Sequence, residues 1–142
     1  MKAVIIYDTK TGNSLKLSNM LSDSLKSKNF EVEIIRDKEF KDVNMVKNAD
    51  LIIIGTPVHA SMPAFTLLRK LKLLQNQNLE GKKLIVFGTS RFKDQWIKAC
   101  EKIKGKLLAT KISFIGKFGC LENEINSKDQ IQNQINEILK NI

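Results

Sequence analysis

The chain has 142 residues, 42% hydrophobic and 27% charged, which fits one globular domain over residues 1–142 and argues against disorder or a low-complexity chain. No apolar run is long enough to span a bilayer, and Met1-Lys2-Ala3-Val4-Ile5-Ile6-Tyr7-Asp8 meets an acid too early for a signal peptide, so a cytoplasmic location is expected. The formal charge is +9, with a single histidine and two distant cysteines, a set that excludes the usual zinc spacings and needs no disulfide framework.

Ala3 to Tyr7 is apolar throughout, as a central parallel strand should be. Asp8-Thr9-Lys10-Thr11-Gly12-Asn13-Ser14 follows and opens a helical pattern to about Ser27, with Leu17, Met20, Leu21 and Leu25 on one face. A buried strand that ends in hydroxyl residues, a glycine and a helix start is a plausible phosphate cradle. Helix-start N–H groups lack intrahelical partners, and the helix dipole favours negative charge. The alternative is an ordinary strand-to-helix turn with Asn13 or Ser14 as N-cap.

Phe30 to Arg36 alternates apolar and polar at first, which suits an edge strand, and a short helix is expected over about Val43 to Lys47. Asp50 to Gly55 is the most apolar strand and so should be central. Thr56-Pro57-Val58-His59-Ala60-Ser61-Met62-Pro63 reads as a stiff, uncharged loop at its carboxyl end, before a helix from Ala64 to Gln75. Lys83 to Gly88 is the fourth strand, Thr89 to Lys93 a loop, and Asp94 to Lys104 a helix with Trp96, Ile97, Cys100 and Ile103 inward. The fifth strand falls within Leu107 to Phe118. A last helix covers about Ser127 to Asn141, with Ser127 and Gln130 at capping-box spacing.

Strand and helix thus alternate five times. The pattern predicts an α/β three-layer sandwich, a five-stranded parallel sheet with helices on both faces. Ligands of such sheets bind beyond the carboxyl ends of the strands, where three segments meet: Thr9 to Ser14, Thr56 to Met62 and Gly88 to Lys93.

On these segments the chain resembles the flavodoxins. Thr9-Lys10-Thr11-Gly12-Asn13-Ser14 is similar to the family's phosphate loop, T/S-x-T-G-N-T, with serine last. Ala49 to His59 resembles its third strand and second flavin loop, and Gly81 to Gly88 its fourth strand. The resemblance implies a flavodoxin-like fold, FMN as cofactor, and a low-potential electron carrier between redox proteins. Carried over position by position, Thr9, Lys10, Thr11, Gly12, Asn13 and Ser14 would hold the FMN phosphate. Thr56, Pro57, Val58, His59, Ala60 and Ser61 would flank one side of the ring. Thr89, Ser90, Arg91 and Phe92 would hold its other edge.

His59 stands where many relatives carry an aromatic and is expected to abut the flavin; otherwise it is an exposed loop histidine. Phe92 is the aromatic candidate of the third loop, or else a plug at a helix start. Trp96 is assigned to core packing. Met62 touches the ring edge or caps the next helix. Two departures stand out. The second loop has no glycine, so a positive φ at Ala60 or Ser61 would carry a penalty of about 1 kcal/mol. The chain is also basic where the family is usually acidic, which implies partners with acidic docking surfaces and a less negative second reduction.

Electron transfer needs no general acid or base, and no catalytic residue is assigned. An FMN-dependent oxidoreductase, of the quinone reductase or protoporphyrinogen oxidase kind, is the alternative, as is a degenerate flavodoxin-like module without FMN. Gly55-Thr56-Pro57 lacks the acid of a phosphoreceiver, and neither the Walker nor the dinucleotide glycine pattern is present. The basic residues are dispersed, so nucleic acid is not the expected partner.

Overall fold

A computed structural model describes residues 1–142. Five parallel strands lie in the order β2-β1-β3-β5-β6: β1 (Lys2–Tyr7), β2 (Glu31–Arg36), β3 (Leu51–His59), β5 (Lys83–Ser90) and β6 (Ser113–Leu121). A two-residue strand, β4 (Met62–Pro63), folds back antiparallel on β3. The helices are α1 (Asn13–Lys26), α2 (Phe65–Gln75), α3 (Gln95–Lys106) and α4 (Lys128–Leu139). None is long and apolar enough to cross a membrane.

The continuous apolar runs follow from burial on both faces. Ala3, Ile5 and Tyr7 pack with Leu17, Leu21 and Leu25 of α1 and Ile131 and Ile135 of α4, while Val4 and Ile6 join Leu67, Leu71 and Leu74 of α2 and Cys100 and Ile103 of α3. The period of two along each strand thus divides the core into two clusters, one under each helical layer. β3 lies in the middle and β2 at an edge, as expected. Burial pushes the Cys100 thiol up to about 12 and the Cys120 thiol to about 11, so both stay protonated, free and inert.

Several details differ from the sequence reading. Thr56 to His59 is not loop but the end of β3, and Thr89 and Ser90 are not loop but the end of β5; Thr56, Pro57 and Val58 pair in register with Gly88, Thr89 and Ser90. The last parallel strand starts at Ser113, inside the expected range, after Leu108–Thr110 forms a 3-10 turn and Lys111 adopts a φ of 66°. It also runs on to Leu121. The Val43–Val46 segment is a single 3-10 turn, and the Ser127–Gln130 capping box does not form.

Three glycines set the spacing around β6. A Cβ at Gly116 would press on Ile138 of α4. Gly88 and Gly119 sit opposite each other in β5 and β6, and Trp96 of α3 covers both, with its Cβ at Gly88 and its ring at Gly119. Gln134 of α4 pairs with the β6 edge at Gly119, donating to its carbonyl at 2.8 Å and accepting its N–H at 3.2 Å. That caps an edge otherwise open to pairing. Gly119→Ala would drive a methyl into the Gly88 carbonyl and the Trp96 ring. We expect a loss of about 1–3 kcal/mol, read as an earlier urea midpoint; an unchanged midpoint would contradict this packing.

Candidate functional site

The chain passes from β1 to the outer strand β2 on one side, and its next central strand, β3, lies on the other. The crevice between the ends of β1 and β3 is therefore the switch point of the sheet. The Asp8 N–H donates to the Gly55 carbonyl at 3.0 Å, extending this pairing one residue past β1. Thr9 Oγ1 then accepts the Gly12 N–H at 2.8 Å and closes the loop into a tight turn. From β2, Arg36 Nη2 donates to the Thr9 carbonyl at 3.0 Å.

Gly12, at φ 90°, is the residue that admits this path, and a Cβ there would meet only open space. It occupies the N-cap position, so neither Asn13 nor Ser14 caps α1. No side chain accepts from the first turn, and no acid stands in it. Ser14 is 1% exposed, yet its Oγ has no hydrogen-bond partner. A buried hydroxyl without a partner costs about 1–3 kcal/mol, and here it lies beside helix-start N–H groups that also lack one. The cradle therefore suits an anion with several oxygens. The nearest acid, Asp8, turns away from it: Asp8 Oδ2 and Asp37 Oδ2 lie 3.3 and 2.8 Å from the Thr66 hydroxyl of α2.

The second segment is a β-hairpin. His59 pairs with Met62 across a two-residue turn, and that turn requires positive φ at both positions. Ala60 and Ser61 adopt it, at φ 50° and 64°. The strain of about 1–2 kcal/mol per residue is held by neighbours. Lys102 Nζ of α3 donates to the Ser61 carbonyl at 3.1 Å and contacts Met62 Sδ at 2.9 Å. Thr56, fully buried, donates to the Pro57 carbonyl and accepts the Ala64 N–H at 2.9 Å, joining the hairpin to the start of α2.

The third segment turns on Ser90. Its buried Oγ donates to the Phe92 carbonyl at 2.8 Å and accepts the Trp96 N–H at 3.3 Å, while Asp94 takes a φ of 67° before α3. Phe92 is 63% exposed and is no core plug; Trp96 packs against the α2–α3 core.

Two adjoining hollows run along this edge. One, of about 450 Å³, is lined by Lys10, Thr11, Pro57, Val58, His59, Ala60 and Thr89 among the expected residues; the other, of about 230 Å³, by Val58, His59, Ala60, Arg91 and Phe92. They share Val58, His59, Ala60 and Glu122, and so form one trough. Its size suits a small-molecule site of about 300–1,000 Å³. Thr9, Gly12, Asn13, Ser14, Thr56, Ser61 and Ser90 do not line the trough: the first four build the cradle, and the buried Thr56 and Ser90 hydroxyls bind backbone.

Glu122, Gln95 and Phe65 also line the trough and were missed. Glu122 arrives because β6 extends to Leu121 and its end is turned by Glu124, which accepts the Leu121 N–H at 3.1 Å. No local pattern marks it. Phe65 had a legible signal, an aromatic two residues after Pro63 at a helix start. A separate hollow, about 580 Å³, lies elsewhere, between Lys38 and Lys41 and the outer face of α2.

A family model described as a flavodoxin domain matches residues 4–141. No curated protein sequence matches the chain significantly. Among solved structures, the two-electron reduced flavodoxin of Megasphaera elsdenii is 23% identical, covering 96% of each chain with a TM-score of 0.77. Oxidised flavodoxin 2 of Bacillus cereus is 21% identical over 96% of this chain and 99% of that one, also with a TM-score of 0.77. Rubredoxin oxygen:oxidoreductase of Desulfovibrio gigas is 16% identical with a TM-score of 0.78; 98% of this chain matches 36% of that one. At these identities the likeness establishes the fold.

The orphaned hydroxyl yields a stability test. Ser14→Ala removes a buried polar group that has no partner, so the ligand-free protein should be as stable as before or gain about 1 kcal/mol. A urea midpoint that falls clearly would mean that Ser14 Oγ is satisfied within the fold.

Proposed function

The chain belongs to the flavodoxin family, and on that premise we propose that it binds FMN along the trough and carries electrons at low potential between redox proteins. The observation that carries the reading is the buried, partnerless Ser14 hydroxyl beside the uncapped start of α1, where the trough meets Lys10 and Thr11.

In this reading the cradle holds the phosphate through the N–H groups that follow Gly12 and the Ser14 hydroxyl. Gly12 allows the backbone to approach closely, and Arg36 keeps the Thr9 turn in place. Pro57, Val58, His59 and Ala60 form one wall for the ring, and Thr89, Arg91 and Phe92 the other. The strained hairpin turn, clamped by Lys102, fixes backbone polar groups beside the ring before any ligand arrives. Bound FMN supplies the electron-transfer chemistry; the protein supplies position, cover and field. Reduced flavin is anionic at neutral pH. The chain's charge of +9, with Lys10 and Arg91 at the trough, favours that anion.

FMN should bind in equimolar amount and lose its fluorescence. A folded protein that leaves FMN fluorescence unchanged would overturn the reading. Ser14→Ala should weaken FMN by about tenfold or more, as expected for a lost hydrogen bond to a charged group, and riboflavin, which lacks the phosphate, much less. Equal losses for both would remove Ser14 from the phosphate site. In potentiometry the second reduction should become more negative as salt screens the positive field; a shift in the opposite direction would refute the electrostatic argument.

A further inference from the structure

A separate hollow of about 580 Å³ has no part in the trough. It is lined by Lys38 and Lys41 from the segment after β2 and by Thr66, Arg69, Lys70 and Leu73 of α2. The α2 residues follow the spacing of one helix face, so four cations converge across a single depression. None of the four makes an ion pair; the pairs in the molecule involve Lys2, Lys104, Lys117 and Lys140. The acids of the same segment are already engaged or stand apart. Asp37 is buried, with one oxygen on the Lys38 N–H and the other on the Thr66 hydroxyl. Asp42 accepts the Asn44 N–H, and Glu39 is exposed without an ion pair. Only Lys70 is tied down, donating to the Phe40 carbonyl at 2.8 Å.

This basic face is continuous with the mouth of the trough. Phe65, at the first position of α2, lines the trough and is 73% exposed; Met62 beside it is 44% exposed. One turn further along α2, the Arg69 guanidinium lies 6.0 Å from the Phe65 ring centroid. An exposed aromatic and methionine flanked by unpaired cations is the composition of a protein-docking patch, in which aromatic and arginine side chains carry most of the energy and charge sets orientation and on-rate.

We infer that Lys38, Lys41, Arg69 and Lys70, with Phe65 at the trough mouth, form the docking face for an acidic electron-transfer protein. This rests on the electron-carrier reading above and deepens it by locating where the partner sits. The alternative occupant, a small anion, fits less well. Such a site needs buried polar groups aimed at the ligand, whereas these cations are exposed or half-buried around a depression with one apolar residue. A partner seated here would place its carboxylates beside α2 and its redox centre over the trough mouth, so electrons would cross a short distance.

The test uses fluorescein-labelled decaglutamate, followed by anisotropy at low salt, with and without FMN. The paired reversals Lys41→Glu with Arg69→Glu should weaken peptide binding by about tenfold or more and leave FMN affinity unchanged. Lys26→Glu with Lys28→Glu, an equal change of charge at the far end of α1, should weaken it less than about twofold. Equal losses from both pairs would mean diffuse attraction and would overturn the docking face. Displacement of the peptide by millimolar inorganic phosphate, at constant ionic strength, would overturn it in favour of a small-anion pocket. If FMN fails to bind while the peptide keeps this selectivity, the cofactor reading falls and the surface stands. With FMN bound, oxidation of the reduced protein by ferricyanide, each trianion taking one electron, should slow in the Lys41–Arg69 reversal and not in the other.

Discussion

The site depends on the parallel ladder between β1, β3 and β5. Tyr7 pairs with Gly55, and Gly55 with Phe87, so these strands reach the same edge together and send their following segments to one place. A shift of one residue would turn the two-sided core inside out, because side chains alternate between the α1–α4 layer and the α2–α3 layer. Gly55 makes the register tight. The Phe87 ring lies where its Cβ would be and stacks on Phe118 at 5.1 Å, so the centre of the sheet admits one packing. The cradle and the trough inherit their rigidity from that ladder.

At the edge the backbone departs from low-energy conformations. Of five non-glycine residues with positive φ, three, Ala60, Ser61 and Asp94, lie in segments that border the trough. Strain of this kind persists only where the surroundings over-determine it. Here the surroundings are identifiable. Lys102 holds the hairpin turn from α3, Thr56 ties it to α2, and Ser90 gathers the third segment onto α3. These hydroxyls serve the site by fixing backbone, which is why Thr56 and Ser90 are fully buried at the very edge where ligand is expected.

Electrostatics divides the molecule in a second way. The ion pairs lie on β1–β2, on α3 with β6, and on α4, while the cations beside α2 stay unpaired. The four cations gathered beside α2 add a local field next to the trough mouth, and it acts on any charged group that approaches, whether a ligand's or a partner's.

Much of this was legible in the sequence. The alternation of strand and helix, the centrality of β3, the edge position of β2 and the glycine-bearing loop after β1 all follow from periodicity and from local turn chemistry, which are properties of neighbouring residues. Other features depend on residues far apart in the chain. The extension of β3 through Pro57 to His59 is decided by its pairing with β5 as far as Val58 and with β4 at His59, which supplies hydrogen bonds that local propensity does not. The same is true of β6, whose extension past Phe118 to Leu121 brings Glu122 to the trough. The positive φ of Ala60 and Ser61 runs against intrinsic preference and is imposed by the hairpin and Lys102. The empty hydrogen-bonding capacity of Ser14, and the gathering of Lys38 and Lys41 beside Arg69 and Lys70, exist only once the layers have packed. The sequence by itself determined the main elements, their layers and the edge where a ligand is expected, because hydrophobic period and turn residues act locally. Tertiary structure alone decided which hydroxyls are spent on the fold, which remain free, and where the charge is left unpaired, because those follow from contacts between distant segments.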